Sequence, residues 1–163
     1  MNGGQHGNEV ILGDRGNTIL YLLKIQAVLK SLGVKNVRYR LHPSENLLWY
    51  NRFLDTTFFK LDTEPLDCSL KKSSLLIGPT STVLVESLYH GVNYMVFEPN
   101  DNNIDLFNYP LVPPFDGSDS RVPLAQSESD LKYYLKNRTE IQISFLNDYI
   151  KTPFNLDFIK ELI

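Results

Sequence analysis

The stretch KSSLLIGPTSTVLVESLYHGVNYMVFEP, residues 72–99, has the pattern of a strand, a tight turn, a helix and a second strand. The short apolar runs at residues 74–77 and 94–97 are long enough for buried strands. Between them, Gly78-Pro79 breaks the first run, and Gly91 suits the end of a helix. This order predicts a βαβ unit whose helix N-terminus presents free backbone N–H groups and small hydroxyls, a setting that favours an anion.

Strand and helix patterns alternate through the rest of the chain. Further strand patterns lie at residues 9–13, 37–41 and 57–61, and helix patterns lie at residues 17–32, 45–54, 66–72, 127–137, 141–150 and 155–163. The alternation predicts an α/β fold, a doubly wound (Rossmann-like) parallel sheet of about five or six strands with helices on both faces. A strand order of 3-2-1-4-5 places residues 9–13 in the middle of the sheet. We expect one domain over residues 1–163, with residues 1–8 flexible and C-terminal helices over residues 139–163.

Composition narrows the class of protein. The chain has 163 residues, a formal net charge of −3 and a single cysteine, Cys68, which favours a reducing compartment. The absence of a broad basic field argues against general nucleic-acid binding. No apolar run approaches membrane-spanning length, and no signal-peptide pattern opens the sequence. We therefore expect a cytoplasmic domain with no transmembrane segment, or a fragment of a longer protein.

Three loops meet at the crevice where this strand order reverses. They carry Arg15 after the first strand, His42 after the second, and the hydroxyls of Thr80, Ser81 and Thr82 at the start of the helix in the βαβ unit. Hydroxyls and N–H groups can hold phosphate oxygens, and a histidine that is protonated near neutral pH can give a proton to a leaving phosphate oxygen. The pattern predicts a nucleotide-phosphate site.

Glu86 lies one turn further along the same helix, where its carboxylate would accept hydrogen bonds from ribose hydroxyls. Neither a GxxxxGK[ST] loop nor a GxGxxG motif is present. Each residue also has a simpler interpretation: the hydroxyls as helix caps, His42 as a loop histidine, and Arg15 and Glu86 as surface charges. We expect no metal ion and no other cofactor, because no DxD pair is present and Asp101 and Asp105 are too far apart to replace one.

Two short segments resemble motifs of bacterial GT-B fold glycosyltransferases of the sialyltransferase and capsule polysaccharide type. RLHPSEN, residues 40–46, is similar to the His-Pro motif of that family, and GPTST, residues 78–82, is similar to its Ser/Thr motif. ESLYHG, residues 86–91, follows the second motif as the helix of the family does. Over roughly residues 10–99, the chain therefore resembles the C-terminal, nucleotide-sugar-binding domain of these enzymes.

The resemblance implies a glycosyltransferase of surface polysaccharide or lipooligosaccharide synthesis, with this chain as the donor-binding half of a GT-B fold. The donor would be a nucleotide sugar, with a CMP-sugar favoured, and the acceptor would be a glycan. His42 and Pro43, with Ser81 or Thr82, would contact the nucleotide phosphate. His42 would also assist departure of the nucleotide.

The resemblance also implies which residues contact the ribose and the base, and that a second domain or subunit binds the acceptor. Glu86 would lie near the ribose, and the loop over residues 61–64, which begins at Leu61, would meet the base through backbone groups. The carboxylate that activates the acceptor comes from the N-terminal domain of a GT-B enzyme, so an acceptor domain or partner subunit is missing from this chain. The full-length protein would lie at the inner membrane as a peripheral protein, and this chain alone would bind a nucleotide with little or no transfer.

Other α/β functions fit parts of the pattern. A CDP-glycerol-type polymer transferase contains segments similar to the His-Pro motif, and a UDP-sugar epimerase shares the two-domain architecture. A non-catalytic flavodoxin-like or receiver-like module is a third alternative, but a receiver needs clustered carboxylates at strand ends, whereas Asp14 is alone and Glu98 follows a different element. Residues 100–119 are predicted to form a long loop, of a length that is more often functional than idle.

Overall fold

The structure is a computed structural model that describes residues 3–41, 46–100 and 110–149. Its helices are α1 (Gly3–Ser31), α2 (Leu47–Tyr50), α3 (Leu66–Lys71), α4 (Thr82–Tyr89), α5 (Glu128–Lys136) and α6 (Leu146–Tyr149). Its strands are β1 (Val37–Tyr39), β2 (Phe59–Leu61), β3 (Leu75–Gly78), β4 (Asn93–Phe97) and β5 (Leu124–Ala125), and a 3-10 turn (Ile143–Phe145) precedes α6. The predicted α/β class is confirmed.

The strands form two parallel sheets. β1 pairs with β2 in one sheet, and the other sheet has the order β3-β4-β5. In the larger sheet Ile77 lies opposite Met95, and Val96 lies opposite Leu124. The parallel direction agrees with the prediction. The described residues form a two-stranded and a three-stranded sheet, however, and not the single sheet of five or six strands that the alternation predicts.

The predicted strand at residues 9–13 is wrong in this structure, because these residues lie inside α1. The turn predicted at residues 14–17 is also replaced by helix, since α1 begins at Gly3. The flexibility predicted for residues 1–8 stays a prediction. A short apolar run has no clear period of its own, so it fits a buried helix as well as a strand. In the structure the helix predicted from residue 17 extends without a break back through this segment.

The βαβ unit at residues 72–99 is confirmed, with β3, α4 and β4 in that order. Gly78 is the last residue of β3, and Gly91 follows α4 with a φ of +70°. Glycine adopts this left-handed conformation without the steric penalty of a Cβ atom, which explains its place after the helix.

Three helices use the side chain at their N-cap position differently. At α2, the Asn46 side chain accepts a hydrogen bond from the Leu48 N–H, and at α5 the Ser127 hydroxyl accepts one from the Asp130 N–H. Ser81 has the same N-cap position at α4 and an extended backbone, but its hydroxyl makes no capping hydrogen bond. Helix α4 therefore begins with a hydroxyl that does not stabilise the helix itself.

Two predicted helices are shorter than the sequence pattern indicates. The pattern at residues 45–54 becomes α2 followed by turns, and here Trp49, the one tryptophan of the chain, contacts Tyr50 and Phe53. The pattern at residues 141–150 becomes the 3-10 turn and α6.

In the C-terminal part of the chain, some predicted elements are confirmed and others lie outside the described residues. The predicted helix over residues 127–137 is confirmed as α5, whereas β5 is a two-residue strand that no sequence pattern predicts. In the predicted long loop, residues 110–119 form turns and irregular structure, and residues 101–109 lie outside the described residues. The helix predicted at residues 155–163 also lies outside them.

Helix α1 packs across both sheets. The Tyr21 hydroxyl donates to the backbone carbonyl of Phe97, at the end of β4, at 3.0 Å. Further along the helix, Lys30 donates to Asp55, which shortly precedes β2, at 2.9 Å. Helix α1 therefore runs opposite to the strands, and its buried residues, such as Ile25, belong to a core shared by both sheets.

A second core lies beneath α4, where Leu84 and Val96 pack with Phe145 from the 3-10 turn. Arg121, which precedes β5, links two acidic residues next to this core. Its Nη2 lies 2.7 Å from Asp119 and 2.6 Å from Asp148 in α6. The C-terminal turns are thereby attached to the edge of the three-stranded sheet.

We predict that Ser127→Ala lowers the free energy of unfolding by about 1 kcal/mol, because it removes the cap of α5. Ser81→Ala removes a hydroxyl in the same position of α4 that caps nothing, so its effect should stay within about 0.5 kcal/mol. Urea unfolding followed by circular dichroism measures both values. An equal loss in the two variants would contradict the different use of the two hydroxyls.

Candidate functional site

The loop between β3 and α4 is built on a close contact between Gly78 and Tyr94. Tyr94 is buried in β4, and its hydroxyl donates to the Pro79 carbonyl at 2.7 Å. A Cβ atom at Gly78 would collide with this hydroxyl. Burial raises the pKa of Tyr94 to about 12, so the hydroxyl keeps its proton and remains a donor at neutral pH. Tyr94 thus fixes the path of the chain as it leaves β3.

Glu98 holds the same loop from the other side. It directly follows β4, and its half-buried carboxyl accepts a hydrogen bond from the Thr80 N–H at 2.7 Å. Burial raises the pKa of Glu98, while interactions with the N–H and the hydroxyl of Thr80 partly oppose that shift. The Thr80 hydroxyl is itself buried beside the carboxyl, without the geometry of a hydrogen bond to any described group.

The start of α4 presents exposed hydroxyls at the end of this loop. Ser81 and Thr82 are both exposed, and the Ser81 hydroxyl lies 3.5 Å from the Tyr94 hydroxyl, at the limit of a hydrogen bond. The Ser81 carbonyl accepts a hydrogen bond from the Leu84 N–H, which closes the first turn. The first N–H groups of a helix have no partner within the helix, and the helix dipole favours a negative charge there. This arrangement can bind an anion through neutral donors.

The loop after β2 is held by charged side chains. Arg40 donates to the Glu64 carbonyl and lies 3.9 Å from Asp62, which accepts a hydrogen bond from the Glu64 N–H at 3.1 Å. Burial alone would raise the pKa of Asp62, but polar contacts with Ser69 and Glu64 and the charges of Arg38 and Arg40 outweigh it and lower the pKa. Asp62 therefore remains ionised and helps to order the loop.

The structure brings together three of the predicted site residues and separates others. Thr80, Ser81 and Thr82 lie in one loop at the C-terminal end of β3, as expected for the turn of a βαβ unit. Glu86 is exposed one turn further along α4. Leu61 is the last residue of β2, so it belongs to the other sheet, and its side chain is exposed.

The remaining predicted residues do not join this group in the described structure. Arg15 lies within helix α1 and not in a loop that follows a strand, so the predicted position of Arg15 is corrected. His42 and Pro43 lie outside the described residues, beyond the end of β1. Their roles stay predictions.

Tyr94 and Glu98 are site residues that the sequence analysis did not predict. Glu98 was considered there only as a carboxylate of a receiver-like module, for which its position does not fit. A signal for Glu98 was available, because it directly follows the second strand of the βαβ unit. Adjacent parallel strands end at the same edge of a sheet, so a carboxylate in that position lies near the first turn of the unit. The contact between Tyr94 and Gly78 depends on the register of β3 and β4, which the sequence does not reveal.

Comparison of the chain with protein-family models, curated proteins and solved structures found no match in any of the three. Within the ranges that the structure describes, no group of three or more histidine, cysteine, aspartate or glutamate side chains could hold a metal ion. None of the helices in those ranges has both the length and the apolar character needed to cross a membrane. The residues of the site are therefore the basis for assigning a function.

We predict that Gly78→Ala lowers the free energy of unfolding by about 1–3 kcal/mol, because the added methyl group must displace the Tyr94 hydroxyl. The double variant Gly78→Ala/Tyr94→Phe should lose less than the sum of the two single changes, because phenylalanine removes the colliding oxygen. Denaturant unfolding of the four proteins forms a double-mutant cycle. Strictly additive losses would contradict the contact.

We predict that Glu98→Gln becomes more stable relative to the unchanged protein as the pH rises from about 4 to about 7. The raised pKa of Glu98 means that the folded state binds its proton more tightly than the unfolded state. That contribution to stability is complete at low pH and is lost as the pH rises through the folded-state pKa.

Glutamine can still accept the Thr80 N–H bond, so the substitution isolates the charge. Thermal unfolding of both proteins across this pH range is the measurement. Their difference in Tm is the informative value, because the lowered pKa values of Asp55, Asp62 and Asp119 affect both proteins alike. A difference that stays constant with pH would contradict the burial of the Glu98 charge.

Proposed function

We propose that this chain is the donor-binding domain of a glycosyltransferase and that it holds the phosphate of a nucleotide sugar at the start of α4. The observation that carries the proposal is the hydroxyl of the exposed residue Ser81, which stands at the N-cap of α4 without capping it. Thr82 adds a second exposed hydroxyl at the same helix end. The proposed fold is the doubly wound, Rossmann-like half of a GT-B fold.

Different residues of the proposed site contact the phosphate, the ribose and the base of the nucleotide. Ser81 and Thr82 donate hydrogen bonds to the phosphate oxygens, and the first N–H groups of α4 add to them. Glu98 keeps the Thr80 N–H in place and so shapes the loop. Glu86 accepts hydrogen bonds from the ribose.

Three further residues have roles that rest on the sequence motifs. His42 and Pro43 complete the phosphate site from the segment after β1, and the loop that begins at Leu61 meets the base.

In the transfer reaction, the bond between the sugar and the phosphate breaks and the phosphate oxygen leaves with a negative charge. A protonated His42 imidazole stabilises this oxygen or gives it a proton. The neutral donors of α4 bind the same charge without bringing one of their own. A base must also take the proton of the acceptor hydroxyl, and this group is proposed to come from an acceptor domain or partner subunit.

We propose a CMP-sugar as the donor, used in surface polysaccharide or lipooligosaccharide synthesis with a glycan as the acceptor. The same phosphate site would serve a CDP-glycerol-type polymer transferase or a UDP-sugar epimerase-like domain. A flavodoxin-like or receiver-like module remains the non-catalytic alternative. The identity of the bound nucleotide separates these classes.

Isothermal titration with CMP, CDP, UDP and ADP tests the proposal. We predict binding that prefers a cytidine nucleotide and that weakens by at least about tenfold in Ser81→Ala/Thr82→Ala, because each hydrogen bond to a charged phosphate contributes about 1.5–3 kcal/mol. His42→Ala should weaken binding as well.

The matched control is Ser127→Ala/Ser129→Ala, which removes two hydroxyls from the start of α5. Its nucleotide affinity should equal that of the unchanged chain. The proposal would be contradicted if the Ser81→Ala/Thr82→Ala variant bound the nucleotide as tightly as the unchanged chain does. It would also be contradicted if the unchanged chain bound none of the four nucleotides.

A further inference from the structure

The two sheets present unpaired edges to each other beneath helix α1. Among the described residues, β1 pairs with β2 alone and β3 pairs with β4 alone. β1 and β3 share no ladder of backbone hydrogen bonds, yet Tyr39 of β1 and Ile77 of β3 belong to the same hydrophobic core. Neither strand has a second strand partner among the described residues, although both pack beneath the same helix.

The burial of β3 indicates a missing neighbour. In β4, the residues from Tyr94 to Phe97 are all buried, whereas in β3 Leu75 is 37% exposed and Ile77 is half-buried. A strand inside a parallel sheet is covered on both faces and paired on both edges. Apolar residues on a strand with a free edge are an unusual and unfavourable arrangement.

Arg38 shows that β1 lies close to the chain that enters β3. Its Nη2 donates to the Ser69 carbonyl at 3.1 Å and to the Ser73 hydroxyl at 2.8 Å, and Ser73 precedes β3 by two residues. Neighbouring strands are about 4.8 Å apart, so a gap of one strand separates two edges by about 10 Å. A long arginine side chain suits a contact across such a gap.

The N-terminal half of α1 is a weak helix by its sequence. It contains five glycines within its first fourteen residues, Gly3, Gly4, Gly7, Gly13 and Gly16, and its first turn has no acidic residue. Glycine is the poorest helix former apart from proline, and an acidic first turn would have stabilised the helix dipole. Leaving the helical state is therefore easy for this half, whereas the half from Ile19 onward is held by the core.

The direction of α1 fits a strand that comes before it. Tyr21 lies at the C-terminal end of β4, and Lys30 lies near the residues that precede β2. A strand that ends just before the packed half of α1 would end at the same edge of the sheet as β3 and β4. It would run parallel to them and reach β1 through a right-handed β-α-β crossover.

We propose that residues 9–13, Glu-Val-Ile-Leu-Gly, exchange between helix α1 and a strand that inserts between β1 and β3. The inserted strand joins the two sheets into one parallel sheet of six strands, in the order β2-β1-insert-β3-β4-β5. Its pairing satisfies both free edges, and its apolar residues cover the exposed side of β3. The insertion depends on the free edges alone and does not rest on the proposed function.

The occupant is this segment of the same chain and not of a second copy. Residues 14–18 connect it directly to the part of α1 that stays in place, so the closure of the connection has a small entropic cost. A tethered segment also has an effective concentration in the millimolar range, far above that of a second chain in dilute solution.

Disulfide trapping tests the insertion. In a Cys68→Ser background, Leu76→Cys in β3 is combined in turn with Val10→Cys, Ile11→Cys and Leu12→Cys, which covers the three nearest registers. A disulfide needs Cα atoms about 4.4–6.8 Å apart, a distance that adjacent strands provide. In helix α1, residue 11 lies about 15 Å along the axis from Tyr21, beyond the ends of the strands.

We expect at least one pair to form an intramolecular disulfide, seen as a faster-running monomer on a non-reducing gel. Ile11→Cys with Leu124→Cys, on the far strand β5, is the control and should form none. Absence of a disulfide in all three test pairs overturns the insertion. Dimers as the product would assign the gap to a second copy and overturn the same-chain occupant.

A second variant tests the exchange itself. A Cβ atom at Gly16 meets open space, so Gly16→Ala should favour the helix without a clash. The initial rate of disulfide formation should fall about fivefold in this variant. An unchanged rate would overturn the exchange between helix and strand.

A measurement on the unchanged chain covers the case in which the cysteine variants fail to fold. The ¹³Cα chemical shifts of residues 9–13 should have strand values or show exchange broadening between strand and helix values. Sharp signals with purely helical shifts would overturn the proposal. Nucleotide binding at α4 is measured separately, so failure of the insertion and failure of the proposed function are distinguishable.

Discussion

Helix α1 holds together two sheets that share no backbone hydrogen bonds among the described residues. Its Tyr21 hydroxyl binds the last carbonyl of β4, and the two aromatic rings of Tyr21 and Phe97 lie 5.3 Å apart. Near the other end of the helix, Gln26 and Lys30 both reach Asp55. The relative position of the sheets, and with it the distance between the loops that follow β2 and β3, depends on this helix and on the contacts of Arg38 with Ser69 and Ser73.

In the loop after β3 of the larger sheet, one part of the backbone is held by hydrogen bonds and the next residue is exposed. Tyr94 and Glu98 fix the first part of the loop after β3 through the Pro79 carbonyl and the Thr80 N–H. The exposed hydroxyl of Ser81 comes directly afterwards, on a backbone that is already ordered. A ligand that binds there would meet donors whose positions do not have to be ordered on binding, which reduces the entropic cost of association.

The sequence predicts those parts of the fold in which the residues that start or end an element agree with the apolar periodicity between them. The βαβ unit is bounded by Gly78-Pro79 and Gly91, and Ser127 marks the start of α5, so both could be placed before the structure was known. Residues 9–13 lack such agreement, because an apolar run between glycines is compatible with either state. The separation into two sheets could not be predicted, since strand pairing depends on contacts between distant residues.

In the site too, features that depend on local sequence could be predicted, whereas features that depend on strand pairing could not. Hydroxyls at a helix start are visible in the sequence, and Thr80, Ser81 and Thr82 do lie together. Tyr94 could not be identified, because its role arises from a register that places its hydroxyl against Gly78. Glu98 could have been identified from its position at a strand end, but only after the order of β3 and β4 was assumed.

The packing of α2 gives this chain an internal optical reporter. Trp49 is its one tryptophan, it contacts Tyr50 and Phe53, and it lies three residues after the Asn46 cap. Indole emission depends on the polarity and the quenching groups around the ring. The tryptophan emission of the unlabelled chain therefore originates from α2, a few residues after the segment that contains His42 in the sequence. Changes around Trp49 can be followed in solution without any added dye.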